Sequence, residues 1–317
     1  MKQTTTVFMF SGQGSQYYQM GRELFELQPS FRRWMLRLDA MLHDLTGFSV
    51  VNLLYDNART KSAPFECMMH THPAIFIIEL ALARTLIECN ITPDYVLGAS
   101  LGTFAAATIA GCLDMEEALK AVVQQAAMIE THCRKGGMIA VLADPTLYQH
   151  EPLRQACEIA AFNSAAHFVV AARQERLANV TDYLRRNDIT FQCLPVSYAF
   201  HSQWIDEAQA PFEGFLKTLS FKPAAIPIVC CKEAGVITRI PAFYFWTIAR
   251  EPIQFVRTIH SMESRGTYRY IDAGPSGSMA TFLKYLLPPR SASFVTTVMS
   301  PFQSDVKRLR AIQASPA

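Results

Sequence analysis

One pentapeptide constrains this chain more than any other feature. Residues 94–110 read as a short apolar strand, a Gly98-Ala99-Ser100-Leu101-Gly102 corner, and then a helix of small residues. Two glycines flanking a serine let the backbone turn sharply enough to lift the Ser100 hydroxyl clear of the turn, because neither carries a Cβ. The helix that starts behind Ser100 points unused backbone N–H groups and the positive end of its dipole at the place where an oxyanion would form. A strand running into such a corner and out through a helix belongs in an alternating α/β sheet, with nucleophilic chemistry at the corner.

The rest of the chain supports that frame. A glycine-rich turn, Ser11-Gly12-Gln13-Gly14-Ser15-Gln16, follows the apolar strand Val7–Phe10. It lacks the Lys-Ser/Thr ending of a P-loop and the third glycine of a dinucleotide fingerprint, so no nucleotide cofactor is expected there. The pattern predicts helices over about 21–37, 74–88 and 115–131. Between them and the next large-domain element lies strand-helix-strand-strand-helix-strand: strand 138–143, helix 151–157, strands 158–162 and 168–172, helix 174–186 and strand 189–196. That order is the ferredoxin-like split unit. The expected organisation is therefore an α/β-hydrolase-like large domain with a mostly parallel sheet over 1–133 and 197–317, and a ferredoxin-like insert over 134–196. Strand 226–231, segment 243–252 and the strand-to-glycine corner Tyr270-Ile271-Asp272-Ala273-Gly274 complete the large domain, and the tail after about Arg310 reads as loose.

Composition narrows the function classes. Half of the 317 residues are apolar, 18% are charged, and the net charge is only +2, so neither nucleic acid nor an anionic membrane is an expected partner. No apolar run reaches the length of a membrane span, and the N-terminal strand is too short and too early for a signal sequence. Eight cysteines without a C-x-x-C pair read as reduced core residues of a cytoplasmic protein, not as a metal site.

A serine hydroxyl needs a base, and eight histidines are available. His43, His150, His167 and His260 read as surface or loop residues, His70 and His72 as caps of the helix that follows, and His132 as a helix-end residue favoured by the macrodipole. His201 differs: it follows the apolar pair Ala199-Phe200 where the chain re-enters the sheet domain, and strand ends in such sheets are where ligands bind. No orienting carboxylate is evident.

The Phe10–Gln16 opening with Met20-Gly21, the Gly98–Gly102 corner, Ala199-Phe200-His201-Ser202 and Asp272-Ala273-Gly274-Pro275-Ser276 occur in this order. On these motifs the chain, over about residues 5–305, is similar to malonyl-CoA:acyl carrier protein transacylases and polyketide synthase acyltransferases, and resembles a stand-alone member that works in trans. The resemblance implies Ser100 as nucleophile, His201 as its base, and an oxyanion hole from the backbone N–H groups of Gln13 and Leu101. It also implies a main-chain carbonyl near Ile248, ahead of Pro252-Ile253-Gln254-Phe255, as the group that orients the histidine. The implied partner is an acyl carrier protein whose phosphopantetheine carries the acyl group, with acyl-CoA as an alternative donor and no cofactor bound by the chain itself.

The departures from the family pattern concern specificity. Malonyl-using members hold the free carboxylate with an arginine fork; here that place falls on Gln125. The histidine before the serine and the glutamate after the second glycine are Ala99 and Thr103. Phe200, by contrast, is the residue usually seen with malonyl. A charge-assisted hydrogen bond contributes about 1.5–3 kcal/mol, which outweighs a shape preference. Malonyl is therefore expected to be disfavoured by on the order of a hundredfold. The resulting expectation is an editing acyl hydrolase that clears neutral acyl groups from carrier thioesters. A transferase of another acyl unit, a malonyl transferase in which Arg250 supplies the charge, and a non-catalytic carrier-binding scaffold are the rivals.

Overall fold

The computed structural model describes residues 4–302 and 304–314. Ten strands are found among them: β1 (Thr5–Phe10), β2 (Tyr95–Gly98), β3 (Gly136–Val141), β4 (Glu158–Ser164), β5 (His167–Arg173), β6 (Phe191–Cys193), β7 (Ile228–Cys230), β8 (Gly235–Ile237), β9 (Tyr268–Asp272) and β10 (Phe294–Thr297). They form a six-stranded sheet in the order β10-β9-β1-β2-β7-β8, parallel except for β8, and a four-stranded antiparallel sheet in the order β4-β5-β3-β6. The architecture is a large α/β domain with a mostly parallel sheet plus a small ferredoxin-like domain.

The apolar run of β1 is continuous because the strand is covered on both faces. Val7 and Met9 pack with Leu97 and Tyr270 on one side, whereas Phe8 and Phe10 join the larger core built on helix Met68–Glu88. Register brings the sequence motifs together: Phe10 pairs with Gly98 and Met9 with Asp272. The chain ends of β1, β2 and β9 therefore lie level, and the loops that follow them share one edge of the sheet. That is where ligands bind in open parallel sheets.

Several elements differ from the sequence reading. The helix expected over 21–37 is two helices, Arg22–Leu27 and Pro29–Thr46. Pro29 biases the preceding residue away from helical geometry, and Gln28 is extended at φ −116°, ψ 102°. The helix expected to open at Ala74 begins earlier, at Met68, with Pro73 inside it. The short strands β8 and β10 were not anticipated, and the tail expected to be loose is helical over Asp305–Ala314. All eight cysteines are free; Cys112, Cys157, Cys230 and Cys231 are buried, while Cys67 and Cys193 are exposed, contrary to a uniform core placement. No helix is long and apolar enough to cross a membrane among the described residues.

Candidate active site

The corner after β2 is built by close backbone approach. A Cβ on Gly98 would collide with the backbone of Thr103, and one on Gly102 with the carbonyls of Phe10 and Ser11, so both positions require the missing side chain. Between them Ser100 adopts φ 53°, a left-handed conformation that non-glycine residues rarely hold and that concentrates at functional sites. Helix Gly102–Ile109 follows at once, and its small residues are all buried.

His201 reaches the corner from the segment that leaves the small sheet. It too is left-handed, at φ 60°, and its N–H donates to the Ala249 carbonyl at 2.9 Å. Ser100 Oγ lies 2.9 Å from His201 Nε2, and His201 Nδ1 lies 2.8 Å from the carbonyl oxygen of Glu251. A carbonyl can only accept, so Nδ1 carries the proton and Nε2 is free to take one from Ser100. Burial pushes the imidazole down to about 4, partly offset by the Glu251 carbonyl, which favours the charged form. Burial therefore favours the neutral imidazole, the form that can accept a proton from Ser100.

The orienting carbonyl belongs to Glu251 and not to Ile248, where the resemblance had placed it. Ile248 lies inside helix Tyr244–Arg250, and Glu251 is the extended residue that ends the helix. Pro252 requires that extension and turns the Glu251 carbonyl out of the helix. The following turn is fastened by Ile253 N–H to Ala160 O at 2.9 Å and Phe162 N–H to Ile253 O at 2.9 Å, so β4 of the small sheet helps fix the carbonyl.

The glycine-rich loop after β1 closes the other side. A Cβ built on Gly12 would stand 3.0 Å from Ser100 Cβ and 3.6 Å from the Leu101 nitrogen, so the loop that carries Gln13 lies against the serine corner. Neither N–H enters a loop hydrogen bond among the described residues. Two side chains that sequence reasoning missed hold the loop. Glu79, fully buried on helix Met68–Glu88, accepts from Ser11 N–H at 2.7 Å and Ser11 Oγ–H at 3.0 Å. Gln16 accepts from Gly14 N–H at 2.7 Å and donates to the carbonyls of Phe65 and Pro195, each at 3.1 Å. Burial, with Asp272 nearby, pushes the Glu79 carboxyl well above the usual range. Asp272 itself is a brace: it accepts from Gly274 N–H and Ala280 N–H, each at 2.8 Å, and burial pushes it up to about 6.

The glycine-rich loop, the serine corner and His201 line a cavity of about 340 Å³ between the two sheets. Ser100, Leu101, Gln13, Gln125, Phe200, His201 and Ile248 all contribute to its wall, and among the described residues no Lys, Arg, Asp or Glu does. Its other two histidines were misplaced by the sequence reading: His72 is inside its helix and 1% exposed, and His167 packs on Phe282 with ring centroids 4.9 Å apart. Burial lowers both, His72 to about 3. Gln125 is 4% exposed and makes no hydrogen bond to the protein. Arg250 is tied to Asp206 and is not part of the wall. No group of three or more metal-binding side chains occurs among the described residues.

The acyl transferase domain family matches residues 7–309. The polyketide biosynthesis acyltransferase homolog BaeD of Bacillus velezensis is 44% identical over 310 residues, 98% of this chain and 96% of its own length. The homolog PksD of Bacillus subtilis is 40% identical over 308 residues, 97% and 95% of the two chains. Among solved structures, the acyl transferase domain of SpnD in complex with 2-(pent-4-yn-1-yl)malonyl superposes with a TM-score of 0.88 at 25% identity, covering 99% of this chain and 78% of that one. MCAT from Streptococcus pneumoniae gives 0.80 at 26% identity, with coverage of 98% and 99%.

Proposed function

Because the chain belongs to the acyl transferase domain family, we propose that it is a serine enzyme of polyketide biosynthesis that removes neutral acyl groups from the phosphopantetheine thioesters of acyl carrier proteins by hydrolysis. The observation that carries this reading is that, among the described residues, no charged side chain lines the cavity wall, to which Gln125 contributes an uncharged amide. A malonyl carboxylate entering such a cavity loses its hydration without a countercharge, which costs several kcal/mol. A neutral acyl group has no such penalty.

In this scheme Ser100 Oγ attacks the thioester carbonyl while its proton passes to His201 Nε2. The developing oxyanion is held by the N–H groups of Gln13 and Leu101. The C–S bond breaks, and the imidazolium returns the proton to the departing thiolate, leaving an acyl ester on Ser100. Water then gives a proton to His201 and adds to the ester; the C–O bond to Ser100 breaks, the carboxylic acid leaves, and Ser100 recovers its proton. The Glu251 carbonyl keeps Nδ1 protonated throughout, the part a carboxylate takes in other triads.

The 134–196 segment is, in this reading, a unit that supplies one wall of the cleft, with the carrier approaching between the sheets. The eight free cysteines support a reducing, cytoplasmic setting. The names of the two Bacillus relatives favour a second reading, transfer of a neutral acyl unit from one thiol to another through the same acyl-Ser100. The hydrogen bond between Ser100 and His201 weighs against a non-catalytic scaffold. Incubation with acetyl-loaded carrier protein, followed by quantification of free acetate and unloaded carrier, tests the proposal. Catalytic release that disappears in Ser100→Ala is expected; release that persists in that variant refutes the assignment.

A further inference from the structure

We propose that His72 and Gln125 form a neutral hydrogen-bonding subsite in the acyl cavity that selects hydroxylated acyl chains over plain alkyl chains. The inference rests on the reading of the cavity as an acyl site reached from Ser100, and deepens it.

His72 is 1% exposed, lines the same cavity as Ser100, and makes no hydrogen bond to the protein through either ring nitrogen; Nδ1 is fully buried without a partner. Gln125, on helix Met115–His132, is 4% exposed and likewise makes none. Next to them Gln13 Oε1 is buried without a partner, and its amide nitrogen meets Thr71 Oγ1, on the residue before His72, only at 3.4 Å. Buried polar groups are nearly always paired, and one left unpaired costs free energy. Of these groups, His72 Nε2 and the Gln125 amide are unbonded without being sealed off, and they are the ones a ligand in the cavity can meet.

The chemistry of these groups restricts the ligand. Burial holds His72 neutral, so its Nε2 serves as donor or acceptor according to the tautomer, while the amide of Gln125 offers both donors and an acceptor. A carboxylate finds no cation here, and an alkyl chain leaves every one of these groups unpaired. A hydroxyl donates and accepts, and so satisfies both partners. The Phe200 ring neighbours both imidazoles, 5.8 Å from that of His72 and 6.5 Å from that of His201. Phe200 thus touches both the subsite and the His201 that meets Ser100, and a substituent along the acyl chain is the part of the substrate that this subsite would bind.

The test compares 3-hydroxybutyryl and butyryl thioesters on the same phosphopantetheine carrier protein. The expected ratio of kcat/KM is about tenfold in favour of the hydroxylated group, the worth of one or two neutral hydrogen bonds. His72→Phe should bring the ratio towards one, and His72→Gln, which restores hydrogen bonding, should keep most of it. Equal kcat/KM values for the two thioesters in the unaltered protein overturn the subsite. Calorimetric binding of both thioesters to Ser100→Ala gives a readout independent of turnover. The same preference in affinity is expected, and if it is found in a protein whose unaltered form hydrolyses neither thioester, the subsite stands while the hydrolytic reading falls.

Discussion

Replacing Gln125 by arginine should convert the cavity into one that accepts malonyl. Gln125 is 4% exposed on a wall with no charged side chain among the described residues, so a guanidinium placed there meets no competing anion and little water. A charge-assisted hydrogen bond is worth about 1.5–3 kcal/mol, and at about 1.4 kcal/mol per decade this is roughly a ten- to hundredfold rise in malonyl over acetyl loading. The same cation, buried without a partner in the free protein, costs several kcal/mol less the relief given by solvent in the cleft, so the variant should melt at a lower temperature and recover on malonyl binding. Intact-protein mass spectrometry of the acyl-Ser100 population, after a pulse of mixed acetyl- and malonyl-loaded carrier, reads the ratio directly. An unchanged ratio in a variant shown by circular dichroism to be folded would refute the placement of Gln125 at the carboxylate end of the acyl site.

Three other outcomes follow from the site's construction. Gly98→Ala drives a Cβ into the backbone of Thr103 and Gly102, which cannot rotate away, so denaturant unfolding should show a loss of about 3 kcal/mol; a loss below about 1 kcal/mol would contradict the close approach. His201 is pushed down to about 4 by burial, and only its neutral form can take the Ser100 proton, so the acid limb of kcat/KM should lie below the ordinary histidine value. Half-loss of activity at pH 6.5 or above would count against the buried, neutral base. Glu79 is raised by burial, which means its contribution to stability is fully present at low pH and is lost as pH rises through its folded-state value. Glu79→Gln keeps an acceptor for Ser11 but removes that titration, so its melting temperature should vary less between pH 6 and pH 9 than that of the unaltered protein; identical pH dependence would show that the carboxyl does not titrate there.

The sequence exposed those features that local geometry makes obligatory. Gly98 and Gly102 are legible because no side chain fits at either position, and the strand-strand-helix spacing of 134–196 is legible because each period is short and clean. The apolar run Val7–Phe10 also identified β1, although its burial on both faces hides the period of two. What stayed hidden depends on backbone atoms or on tertiary burial. The carbonyl that orients His201 carries no side-chain signal, so its position was displaced from Glu251 to Ile248; Pro252, which extends the residue before it, was the cue available. His72 resembles a cap when read beside Pro73, and only the packing of helix Met68–Glu88 against the loop after β1 carries it into the cavity. Glu79 and Gln16 are single polar residues in apolar or glycine-rich surroundings, and nothing local distinguishes a brace from a surface group. Gln125 could be singled out only against the pattern of the family.

The most direct test of hydrolysis is a partition experiment. Acetyl-loaded carrier protein is mixed with the enzyme and an excess of a second, unloaded carrier, and the acetyl group is followed to free acetate or to the second thiol. The account predicts catalytic accumulation of acetate with little acetyl on the second carrier, and negligible turnover of malonyl. Acetyl appearing chiefly on the second carrier, or malonyl turned over as fast as acetyl, would contradict it.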